Sequence, residues 1–233
     1  MAGQVHPTAV VAEGVELGDG TVVGPFAVLL GPLRIGEGSS IGAHAVIGAA
    51  PEVIGHEPGL PWEGSTTGPG VEIGRRTTIR EFAAVHRGTQ RTTRIGDDCF
   101  LMNGVYVGHD GFVGDGVAMA AHVALAGHVQ VGSHANLGLS VVVHQRRVIG
   151  PGAMLGMGAV VTRDVPPWAT AFGSPARVRG ANEVGLARRG AGAGDVAAVA
   201  AAHAPGAAAA DGWEPPAALA ADWRWWRERA AGD

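Results

Sequence analysis

Aliphatic residues recur at every sixth position along most of the chain, in three runs separated by changes of phase. The first is Val5, Val11, Leu17, Val23, Leu29, Ile35, Ile41, Ile47 and Val53; the second is Ile73, Ile79 and Val85. The third is Ile95, Leu101, Val107, Val113, Met119, Leu125, Val131, Leu137, Val143, Ile149, Leu155 and Val161, and no polar residue interrupts any run. A period of six fits neither an amphipathic α-helix, which needs 3.6, nor a half-buried strand, which needs 2. It describes one short flat side plus a turn, and three such sides close a triangular coil of about eighteen residues. The 24 positions therefore predict a parallel β-helix of roughly eight coils with the aliphatic side chains inside. Residues eighteen apart become neighbours in adjacent coils, about 4.8 Å apart.

Two phase changes mark segments that must leave the prism as loops. One lies near 54–72 and carries Pro58, Pro61, Trp62 and Pro69; the other, near 86–94, is polar. Loops on a rigid scaffold are frequent sites of function, though tolerated insertion explains them equally well. Asp164-Val165-Pro166-Pro167-Trp168 is expected to end the coils, and Gly173-Ser174-Pro175-Ala176-Arg177 to lead away from them. The chain thus divides into a β-helix over 1–180 and an alanine-rich helical tail over 181–233, with helices near 195–204 and 216–231. Trp223, Trp225 and Trp226 argue that the end of this tail docks.

Composition narrows the classes of function. Among 233 residues there are 39 glycines and 16% charged residues, which suits a solenoid with a narrow core. A net charge of −4 gives no nucleic-acid footprint. The amino terminus enters the repeats at Val5 without the basic and apolar regions of a secretory signal. No apolar run approaches the length of a transmembrane helix. The single Cys99 allows no intramolecular disulfide and reads as a small, partly buried residue in a reducing compartment. A cytoplasmic protein is expected.

Of ten histidines, His6, His44 and His134 read as ordinary surface residues, whereas His109, His122, His128 and His144 are expected along one flank. His109 and Gly127 are one coil apart. A closed zinc site lacks its thiolates, so no metal is expected. An imidazole near neutrality suits general-base catalysis, with His109 deprotonating an attacking hydroxyl. The Gly127 N–H can then serve the tetrahedral oxyanion. Asp110 either orients the His109 ring, if the backbone turns there, or is a solvated corner residue.

The stretches His6-Pro7-Thr8-Ala9, Ile79-Arg80-Glu81, His86-Arg87-Gly88-Thr89, Leu101-Met102-Asn103, Gly108-His109-Asp110, Leu125-Ala126-Gly127-His128, Val143-His144-Gln145 and Asp164-Val165-Pro166-Pro167 carry a more specific likeness. They resemble the acyl-carrier-protein-dependent UDP-N-acetylglucosamine O-acyltransferases, from about residue 5 to residue 190. The resemblance implies an all-β fold, a left-handed parallel β-helix with a small helical tail. Left-handed winding goes against the general preference for right-handed crossovers. It further implies transfer of a (3-hydroxy)acyl group from acyl carrier protein to the 3-hydroxyl of UDP-N-acetylglucosamine, the first acylation of lipid A synthesis. No cofactor is needed beyond the carrier thioester as co-substrate. By motif, His109 is the base, Asp110 its partner and Gly127 the oxyanion donor. His86, Tyr106, His128, His144 and Gln145 contact substrate, and Asn182, Arg188 and Arg189 hold nucleotide and carrier. Met157 falls where the resemblance places the acyl-length ruler, predicting a chain of about ten carbons because filled volume cannot also hold methylenes. A homotrimer is implied, and the small, uncharged flank from Asn103 to Val143 is compatible with it.

Departures accompany the likeness. Tyr106 stands where a histidine is usual, Pro175 replaces another, and Glu52-Val53-Ile54-Gly55-His56 aligns poorly with the acidic, lysine-bearing sugar loop. Two rival readings follow: a coenzyme A-dependent hexapeptide acyltransferase acting on another sugar or amine, and a β-helix scaffold without chemistry.

Overall fold

The computed structural model describes residues 3–55, 64–204 and 213–230. Most of the chain winds into a left-handed parallel β-helix. Its three faces hold ten, eight and seven strands, beginning at Gln4–Val5, Val10–Val11 and Val15–Leu17 respectively. Each coil runs from face two through a corner to face three, then to face one, and back to face two. Gln4 pairs with Val22, and Val22 with Ser40, in the eighteen-residue register that the pattern predicts.

That register is broken twice, at the two phase changes. Leu33 pairs with Val71 across the first loop, and Val71 with Thr93 across the second. Pro58, Pro61 and Trp62 of the first loop lie outside the described residues. The second leaves after the strand Ala84–His86 and returns at Thr93–Ile95. Both keep their flanking strands paired, with one register shift between Val85 and His86, where His86 pairs with Ala49 at the exit of the first loop.

From Val23 to Val161 the repeat residues fill the prism as expected, except at the first loop; Leu29, Ile47, Val85, Val107 and Leu125 are all at most 1% exposed. Three expected core positions fail. Val53 lies beyond the strand Val46–Ala49, in the departing loop, and is 41% exposed. Val5 and Val11 are exposed because no coil covers them from below. At the far end the coils continue past the expected stop: Val165 bridges to Ile149, and Ala169–Gly173 pairs in parallel with Met154–Leu155. Val165, Ala169 and Ala171 all join the core. Small residues after the proline pair let one more partial coil close. Ala176–Ala181 then returns antiparallel to Ala169–Gly173.

Among the described residues three α-helices follow: α1 (Glu183–Arg188), α2 (Ala193–Ala202) and α3 (Ala220–Ala230), the last entered through a 3-10 turn at Ala217–Leu219. The sequence pattern gave no sign of α1, a short helix capped by the Asn182 side chain. Leu186, Val199, Leu219 and Trp223 form a second core with Trp168. Trp168 Nε1 donates to Asp222 Oδ2 at 2.7 Å, and the Trp225 ring lies 6.0 Å from that of Phe112 on face three. The helices are therefore pinned across the end and one face of the prism.

Candidate active site

The corner between faces two and three carries His109, Asp110, Gly127 and His128. Val107, Leu125 and Val143 are paired in successive coils. The residues after them consequently stack in columns: Gly108, Ala126 and His144; then His109, Gly127 and Gln145; then Asp110, His128 and Arg146. Backbone bonds hold the columns in step, with His128 N–H donating to His109 C=O at 2.9 Å and Arg146 N–H to Gly127 C=O at 3.1 Å.

Asp110, His128 and Arg146 adopt the left-handed conformation, with φ of 58°, 62° and 62°. This turn settles the two readings of Asp110, since it folds the carboxylate back onto its neighbour. Asp110 Oδ2 accepts from His109 Nδ1 at 2.7 Å. The carboxylate is fully buried and also accepts from Thr89 Oγ1 at 2.7 Å, Gln90 N–H at 2.8 Å and Arg91 N–H at 2.7 Å. Burial alone would raise its pKa, but the hydrogen bonds from Thr89, His109, Arg91 and Gln90 prevail and hold it far below the usual carboxylate range. The second loop is thus a cradle for an ionised carboxylate. Gly88 makes its tightness possible, since a Cβ there would run into Arg91 C=O.

With Nδ1 bound to Asp110, the Nε2 of His109 is the free nitrogen. It lies against the next coil, and a Cβ on Gly127 would stand 2.5 Å from it. Gly127 does not occupy the left-handed region, so space rather than backbone conformation demands glycine. The His128 ring meets His109 edge-on with centroids 5.0 Å apart. Burial lowers the His128 pKa; Asp110 opposes this, and Arg146, His109 and Arg91 add to it, so the ring is neutral at pH 7. His109, Asp110 and His128 bring three ligand atoms within 4.8 Å. Both Asp110 oxygens already accept several donors from the second loop and from His109.

The first loop serves the same flank. His86 Nδ1 bonds Ala50 C=O at 2.7 Å, and its ring lies 5.1 Å from that of Tyr106. The Tyr106 hydroxyl donates to Glu52 Oε2 at 2.7 Å, and Glu52 Oε1 is 4.0 Å from His86 Nε2. Burial and the Glu52 bond raise the tyrosine's pKa, so it is a neutral donor. Glu52 is a functional candidate that its poor alignment hid; the only sequence signal is an acid shortly after the strand it leaves.

Of the remaining candidates, His144 and Gln145 share this corner and the others lie elsewhere. His144 and Gln145 are exposed above Ala126 and Gly127, with His144 Nδ1 3.2 Å from Gln145 C=O. His122 is not on this flank: it lies on the corner between faces one and two, its ring over Gly104. Met157 is on that corner too, 77% exposed. Arg188 and Arg189 line a cavity of about 760 Å³ on the third corner, together with Asn182 and His134. Asn182 is committed structurally, donating to Gly152 C=O and accepting from Gly185 N–H. His134 is half-buried and not an ordinary surface residue; burial, then Arg189, lowers its pKa. His6 is exposed, and His44 stacks between Phe26 and Phe82. Cys99 is buried, which pushes its thiol up to about 11.

A hexapeptide β-helix that fixes an imidazole with a buried carboxylate, against a glycine one coil away, defines a hexapeptide-repeat acyltransferase. The family model for the bacterial transferase hexapeptide matches residues 14–49, and that for UDP N-acetylglucosamine O-acyltransferase, domain 2, matches residues 164–204. Over 208 residues the chain is 43% identical to the acyl-[acyl-carrier-protein]–UDP-N-acetylglucosamine O-acyltransferase of Halorhodospira halophila, covering 80% of this chain and 78% of that protein. Among solved structures, the UDP-N-acetylglucosamine acyltransferase from Campylobacter jejuni superposes with a TM-score of 0.72 at 30% identity, over 84% of this chain and 82% of that one. The corresponding enzyme from Bacteroides fragilis gives 0.73 at 26%, over 84% and 81%. The chain belongs to the acyl-[acyl-carrier-protein]–UDP-N-acetylglucosamine O-acyltransferase family.

Proposed function

We propose that this protein moves an acyl or 3-hydroxyacyl group from acyl carrier protein to the 3-hydroxyl of UDP-N-acetylglucosamine, the first acylation of lipid A synthesis. The observation that carries the reading is the 2.7 Å bond from His109 Nδ1 to buried Asp110, which leaves Nε2 as the base beside Gly127. Nε2 takes the proton of the sugar hydroxyl as its oxygen attacks the thioester carbonyl. The Gly127 N–H, which has no protein partner among the described residues, stabilises the oxyanion. Collapse expels the carrier thiolate, which recovers the proton from the imidazolium. Asp110 remains ionised throughout and holds the ring in the tautomer that accepts at Nε2. His86, Tyr106 and Glu52 offer polar contacts to the sugar, with His128, His144 and Gln145 along the path of the donor.

Met157, Asn182, Arg188 and Arg189 occupy other corners than His109, so one chain does not bring them together. A homotrimer with clefts between prisms does. The outward residues of face two support such packing: Val10, Val28, Val46, Ala84, Tyr106, Ala124, Val142 and Val160 form a column that is apolar except for Tyr106. In that cleft Met157 blocks the far end of an acyl groove.

Mass spectrometry of the product from UDP-N-acetylglucosamine and a panel of acyl-carrier thioesters tests the assignment. The expected product is a mono-O-acylated nucleotide sugar formed fastest with about ten carbons. Turnover with acetyl-coenzyme A and none with acyl carrier protein contradicts it in favour of a coenzyme A-dependent enzyme.

A further inference from the structure

Beyond the reacting pair, a hollow of about 320 Å³ opens on the face-three side of the same corner. Three arginines from three separate elements border it: Arg91 from the second loop, Arg146 from the corner column, and Arg229 from the last turn of α3. We infer that this hollow is an anion subsite that receives the phosphate group of an incoming substrate, a role that rests on the acyl-transfer reading above.

The guanidinium groups are held open toward the hollow. Arg146 makes no side-chain hydrogen bond or ion pair among the described residues. Arg91 uses Nε to donate to Asp110 C=O at 2.9 Å, which fixes the fork and leaves its two outer nitrogens. Arg229 is oriented by Nη1 donating to Trp225 C=O at 3.0 Å and by stacking 4.4 Å over the Trp225 ring, with exposed Glu228 3.4 Å from the same nitrogen. The acid in the lining, Asp164, accepts from Val148 N–H at 2.8 Å and lies 3.4 Å from Arg147. Bringing three guanidinium groups around one space is unfavourable until an anion enters. Their planar forks then match phosphate oxygens two at a time. His128 lines the same hollow and touches His109, so a phosphate bound here lies one imidazole away from the reacting atoms.

Both proposed substrates carry the right chemistry: the nucleotide sugar has a diphosphate, and the carrier arm a phosphodiester. The test uses Arg146→Gln and Arg229→Gln, two side chains outside the reacting pair, with Arg146→Lys as the charge-retaining control. Calorimetric titration with inorganic pyrophosphate requires no turnover and therefore decides the subsite even if the transfer reading fails. The parent is expected to bind it, each glutamine variant about tenfold or more weakly, and the lysine variant in between. Steady-state kinetics then name the source. A rise in KM for the nucleotide sugar at unchanged kcat assigns the diphosphate. A rise in KM for acyl carrier protein, with none for a phosphate-free N-acetylcysteamine thioester, assigns the carrier arm. Equal pyrophosphate binding by parent and variants overturns the subsite, and lost binding with both KM values unchanged overturns its assignment to a substrate.

Discussion

At Gly127 the backbone conformation is open to any residue, yet a side chain is excluded by the imidazole that it would meet. Gly127→Ala should therefore fold normally while displacing His109, lowering kcat on the order of 10²-fold or more; steady-state kinetics beside an unchanged circular-dichroism spectrum checks both halves. Asp110 makes a prediction about acid. Its folded pKa lies below the value of an unfolded aspartate, about 3.9. The stability it contributes is complete above that value and is lost as pH falls through the folded value. Thermal melts between about pH 5 and pH 2 should show the parent's midpoint dropping more steeply than that of Asp110→Asn. Residue spacing made His109 and Gly127 legible as neighbours, because one coil is one rung. It did not reveal that Asp110 turns back, since a non-glycine residue at positive φ leaves no mark in the letters. His122 shows the same limit: its kinship with His109 was apparent in type alone, and its position in the coil puts it on another corner.

Most of the strands are two or three residues long, and none has stability of its own; what holds them is the inward aliphatic column. Leu125, 1% exposed and one coil above Val107, stands directly behind the active corner. Leu125→Ala should cost about 2–5 kcal/mol in chemical denaturation and loosen the corner with it. The repeat made these strands readable almost residue by residue from Val23 onward. It failed where continuity of pattern was not continuity of structure. Val53 extends the first run yet belongs to a loop, and the proline pair after Asp164 has the look of a stop although Val165, Ala169 and Ala171 still fit the prism. Short α1 escaped because six residues hold less than two turns of periodicity. Both loops, equally readable as tolerated insertions, instead deliver Glu52 to Tyr106 and a ring of donors to Asp110.

For the whole molecule, the candidate residues fall on three corners: His109 and Asp110 on one, Met157 on the second, Arg188 and Arg189 on the third. The resemblance implies that these residues act together; the proposed homotrimer would gather them, with the apolar column of face two as its packing surface. The proposed transfer depends above all on His109 acting as the base within this frame. The direct measurement is kcat for His109→Ala with UDP-N-acetylglucosamine and the preferred acyl-carrier thioester, with mass and circular dichroism matched to the parent. A fall of about 10²–10⁴-fold at little-changed KM is predicted; turnover within about threefold of the parent contradicts the central claim.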